Sequence, residues 1–191
     1  MKQAITSADA SQKNLFIVAA GGLVSGILTS LLPALVDNIV GIGSRFPLVQ
    51  LRIALIAVPF AVLVCILVRR FSTNRGWAAL VAAVVTMIAF VCAVNAAILV
   101  EGNTGDAPRI MRYLLAGLTG GLVGTVVMAL GIGLLPAGSR QPAQWWPMLI
   151  TGALAGTLLA LDDALGLDKI SFLYPVWQAA VAVRLAVVLR S

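Results

Sequence analysis

Residues 112–136 read RYLLAGLTGGLVGTVVMALGIGLLP, and this stretch decides the fold class. No charge falls between Arg112 and Arg140, a run long enough to cross a bilayer, whose ~30 Å hydrocarbon core needs about 20 apolar residues in a helix. Its glycines fall at helical spacing: Gly117 with Gly121, Gly120 with Gly124, and Gly131 beyond them. Such a face lets a second helix lie close against the backbone, which is how helices associate where lipid offers no hydrophobic gain.

The rest of the chain has the same character. Of 191 residues, 61% are hydrophobic and 10% are charged, and the mean hydropathy is +1.04. Soluble domains average about 45–50% apolar and about 25% charged residues. The expected class is therefore an all-α integral membrane protein.

Working outward, apolar segments at about 14–36, 51–68, 77–100, 113–136, 146–161 and 172–189 predict a bundle of six transmembrane helices. They form one domain, residues 14–190, after a polar tail at 1–13 that we expect in the cytoplasm. The first segment exceeds the ~7–15 apolar residues of a signal-peptide core, so it is expected to remain uncleaved. It should end near Pro33 and Asp37, and Pro59 should kink the second helix. Residues 38–50, NIVGIGSRFPLVQ, are too apolar for a solvated loop and too few to span; an interfacial segment is expected, with a re-entrant turn as the alternative.

Charge sets the expected orientation. With both termini in the cytoplasm, Lys2, Lys13, Arg69, Arg70, Arg75, Arg140 and Arg190 lie inside. Arg45, Arg52, Arg109, Arg112 and Lys169 then lie outside, together with every acid except Asp9. This follows the positive-inside rule, and the inner membrane of a cell is the expected location. The formal charge of +6 is thereby assigned to helix flanks; no basic run interleaves with aromatics as a nucleic-acid surface requires.

The sequence has no histidine, which removes histidine-ligated zinc and haem, serine–histidine dyads and histidine proton relays. Cys65 and Cys92 lie in separate apolar segments and read as core residues. No phosphate-binding motif, facing aspartate pair or serine–lysine arrangement is evident. Neither a catalytic site, a metal nor a cofactor is expected.

Residues inside the spans carry what remains. Arg184, Gln178 and Asn95 are candidates for a polar path, with snorkelling of Arg184 and helix–helix hydrogen bonding of the amides as the structural alternatives. Asp162 and Asp163, at the expected end of the fifth helix, are candidates for a cation-collecting outer vestibule, or a solvated turn. Gly22, Gly26, Gly117, Gly121, Gly124, Gly152 and Gly156 are expected to pack helices, with the fourth helix as the central post. GGLV at 21–24 recurs at 120–123, and LLPA at 31–34 recurs at 134–137; these echoes would make the chain two inverted three-helix units.

The leading functional expectation is a small permease or channel-like protein for an ion or small solute. The alternative is a non-catalytic membrane subunit or scaffold that docks a homo-oligomeric or membrane partner through its small-residue faces.

Overall fold

The structure, a computed structural model, describes residues 2–40, 48–73, 76–136, 141–167 and 171–190. It is all-helical over the described residues. The helices are α1 (Lys2–Val40), α2 (Leu48–Ile56), α3 (Val58–Phe71), α4 (Gly76–Asn103), α5 (Arg109–Gly133), α6 (Pro142–Gly156), α7 (Leu158–Ala164) and α8 (Leu173–Val188). Four are long and apolar enough to cross a membrane: Gln12–Pro33, Gly76–Asn103, Arg109–Gly133 and Ala143–Ala164. The bent pair Val49–Ile56 and Val58–Phe71 makes a fifth if taken as one span. The expected six is thus four or five by length and composition, because α8 has 16 residues where about 20 are needed.

Several expected boundaries move, each for a local reason. Helix α1 begins at Lys2 rather than after residue 13, since no Gly or Pro interrupts residues 2–20. It also runs through Pro33 and Asp37 to Val40; proline inside a helix removes one donor without ending it. Residues 41–47 of the expected interfacial segment lie outside the described residues, while 48–50 open α2. Proline does break the second segment, where α2 and α3 meet at a bend of 50°. Pro59 has no N–H to give Leu55, and at Ala57 the bonding tightens to a contact with Ala54 O at 3.1 Å. Helix α4 keeps Glu101 within its last turn, ahead of Gly102.

The helices close into a ring in which each touches the next: α1, α3, α4, α5, α6, α8 and back to α1. The short α2 and α7 extend α3 and α6. Helix α8 contacts α1, α3, α6 and α7, and it fully buries Gln178, Val181, Ala182, Leu185 and Ala186. The central post expected of the fourth helix is not set apart, because α5 and α8 are both members of the ring. Helix α5 occupies the wall between α4 and α6.

Glycine accounts for how close the wall helices come. A Cβ on Gly117 would collide with Gly156 O, and one on Gly121 with Gly152 O. Gly120 and Gly124 face Ala93 on α4, on another side of the same helix. On α1, a Cβ at Gly22 or Gly26 would strike the backbone of Ala179 or Pro175 on α8. All seven expected packing glycines thus stand against neighbouring helices of the same chain.

Candidate functional site

The polar residues expected to form a path lie in three separate places. Gln178 is fully buried between α8 and α1, where its Nε2 donates to Thr29 Oγ1 at 2.9 Å and its Oε1 accepts from Ser25 Oγ at 2.7 Å. Asn95 lies on an exposed face of α4 and exchanges two hydrogen bonds with Gln50 of α2, at 2.9 and 3.1 Å. Arg184 is exposed, and its Nε donates to Thr151 Oγ1 of α6 at 3.3 Å. Each amide is spent on holding two helices together, and among the described residues none of the three lines either of the two cavities described below.

The paired aspartates also separate. Helix α7 continues past both of them to Ala164, so Asp162 is buried rather than rim-exposed. The burial cost is offset by three donors. Asp162 Oδ1 accepts from Phe172 N at 2.9 Å; Oδ2 accepts from Leu173 N at 3.2 Å and from Ser171 Oγ at 2.5 Å. A carboxylate at that point caps the first turn of α8 and opposes its positive dipole end. The chain reverses between them at Gly166, whose φ of 63° is left-handed. Gly166 N donates to Asp163 O and Leu167 N to Asp162 O, the crossed pair of bonds that ends helices at such a glycine. Asp163 meanwhile pairs with Arg109 at 2.6 Å. Two neighbouring carboxylates therefore hold different elements, Asp162 the start of α8 and Asp163 the start of α5. The remainder of the expected turn, residues 168–170, lies outside the described residues.

A partly open cavity of about 240 Å³ lies between α4, α5, α6, α7 and α8. Its lining is mostly aliphatic and glycine, with four aromatic rings: Phe90 from α4, Tyr113 from α5, and Tyr174 and Trp177 from α8. Gly117, Gly120, Gly121 and Gly156 line it with backbone, and their absent Cβ positions lie against the neighbouring helices. The rings are held in place. Trp177 Nε1 donates to Gly152 O at 3.0 Å, and its ring meets Phe60 edge-on at 5.6 Å. Phe90 and Tyr174 lie 5.8 Å apart, tilted by 33°. Glu101, at the end of α4, is the one carboxylate among the lining residues.

The chemistry available is that of an apolar cavity with four aromatic rings and one carboxylate among its lining residues. Ring faces carry negative potential and attract a cation within about 6 Å, most strongly when water is excluded. At the same end of the bundle, Arg109 lies 5.8 Å from the centroid of the Tyr113 ring, with its charge balanced by Asp163. Among the described residues, no three His, Cys, Asp or Glu side chains come together as a metal site would need.

This cavity was not among the expected sites. Its aromatics are dispersed over residues 90–177, and no local pattern in the sequence groups them. Glu101 read as a loop residue.

No family model, curated protein or solved structure matches the chain.

Proposed function

We propose that this chain is a small membrane permease, without enzymatic activity, whose solute is a small organic cation held in this cavity. The observation that carries the reading is the cavity itself, with four rings and Glu101 among its lining residues. At about 240 Å³ it is smaller than the ~300–1,000 Å³ of drug-sized sites, so the solute is correspondingly small.

The arrangement of the helices adds support. Take α1, α2–α3 and α4 as one unit, and α5, α6–α7 and α8 as a second. The middle helix is interrupted in both, at Ala57 in the first and Thr157 in the second. Neighbours correspond as well: α1 against α8 matches α5 against α4, α1 against α3 matches α5 against α6, and α3 against α4 matches α6 against α8. With α8 as a sixth span, the units run in opposite senses, the plan by which many transporters rock about a central site. Both termini then face the cytoplasm of a cell whose inner membrane holds the protein. Lys13, Arg69, Arg70 and Arg190 lie at that end, and Glu101, Asp106, Asp162 and Asp163 lie at the other.

The alternative, partner docking through the glycine faces, finds those faces already occupied by helices of the same chain.

The test is uptake of radiolabelled tetramethylammonium into proteoliposomes. Wild type should show saturable uptake. Glu101→Gln should reduce it by about tenfold, as expected for ~1–2 kcal/mol of lost attraction between the carboxylate and a bound cation. Uptake equal to that of empty vesicles for wild type would overturn the proposal.

A further inference from the structure

A second recess lies between α1 and the bent pair α2–α3. It has a volume of about 980 Å³ and opens sideways. The 50° bend at Ala57 turns α2 away from the line of α3, and Ala20 and Gly21 leave the facing side of α1 low. Its walls are hydrocarbon, with Ile17, Val24, Leu28, Val62 and Ile66 exposed by roughly half their surface each. Ser25 is the one polar lining residue, and its hydroxyl is committed to Gln178 and to Gly22 O.

One end of this recess is basic. Lys13 precedes Ile17 by a turn of α1, and Arg69 and Arg70 follow Ile66 by a turn of α3. Arg70 Nη2 donates to Asn14 Oδ1 at 3.5 Å, which brings the two helices together at that end. Arg190 adds a fourth positive group nearby, stacked 4.2 Å from the centroid of the Phe71 ring. The described carboxylate side chains, Glu101, Asp106, Asp162 and Asp163, all lie at the other end of the bundle. Asp9, one turn before Lys13, is the single acid that the sequence places on the basic side.

We propose that this recess holds an anionic glycerophospholipid, its acyl chains along the α1–α3 walls and its phosphate against Lys13, Arg69 and Arg70. An apolar cleft alone would take any lipid tail; the basic end is what selects the headgroup. Arginine suits that role through paired hydrogen bonds to phosphate oxygens, and basic pockets between membrane helices on the cytoplasmic side bind anionic headgroups in this way. This inference is independent of the solute cavity, since the two share no lining residue.

The experiment titrates the purified, delipidated full chain with phosphatidylglycerol and with phosphatidylcholine of the same acyl length, and counts bound lipid by native mass spectrometry. Wild type should prefer phosphatidylglycerol by about tenfold or more, given the gain expected from each basic group near an anionic surface. Arg69→Gln combined with Arg70→Gln should bring the two lipids to equal affinity. Val62→Trp, at an exposed position on the wall, should weaken both. Equal binding of the two lipids by wild type overturns the proposal, and that comparison needs no variant to fold. So does an undiminished preference in the double variant. A wild-type dimer that Val62→Trp dissociates while lipid binding stays constant would assign the recess to a second copy of the chain instead.

Discussion

At the scale of single residues, this protein uses its few buried polar groups to join helices. Gln178 links two hydroxyls of α1. Such bonds in membrane proteins average about 0.6 kcal/mol and reach about 1.7. Gln178→Leu should therefore lower stability in detergent by roughly that amount, with Ser25 still able to bond Gly22 O. Asp162 should matter more, because one carboxylate answers two backbone N–H groups and a hydroxyl. Asp162→Ala is expected to cost about 2–3 kcal/mol by leaving buried donors unpaired, read as a lower midpoint of thermal unfolding. The neighbouring Asp163→Ala should cost under about 1 kcal/mol, since its partner Arg109 is 70% exposed and such pairs contribute little. The sequence marked all of these residues, but not their partners. Ser25 and Gln178 are 153 positions apart, and nothing in the local pattern of either says that α1 and α8 meet.

At the scale of helices, the glycine rows were legible and their separate uses were not. Spacing puts Gly117 and Gly121 on one side of α5 and Gly120 and Gly124 on another; only the fold shows that the first pair meets α6 and the second meets α4. Gly121→Leu should separate α5 from α6 and abolish the folded monomer in mild detergent, beyond the ~1–3 kcal/mol usual for overpacking, because the obstacle is backbone. Gly76→Ala, where no atom lies within 4 Å of an added Cβ, should leave the thermal midpoint unchanged or slightly raised. Helix ends were the least legible feature. A polar opening such as residues 2–13 carries no apolar pattern, yet it contains nothing that stops a helix. The kink of the second segment, by contrast, follows from Pro59 alone.

At the scale of the whole molecule, the ring of helices from α1 through α8 unites these observations. Amides and hydroxyls fasten its seams, glycines bring its walls close, and the space left over collects aromatic rings from α4, α5 and α8 beside Glu101. Composition made a bundle of apolar helices unmistakable. The cavity was hidden because it depends on which helices are neighbours. The central claim is that this cavity, rather than a line of polar residues, is where the solute sits. Calorimetric titration of the purified protein with tetramethylammonium tests it most directly, using wild type, Glu101→Gln and Arg184→Ala. The account predicts binding by wild type, about tenfold weaker binding by Glu101→Gln, and no change in Arg184→Ala, whose side chain lies on an exposed face. Loss of binding in Arg184→Ala with Glu101→Gln unaffected would contradict it.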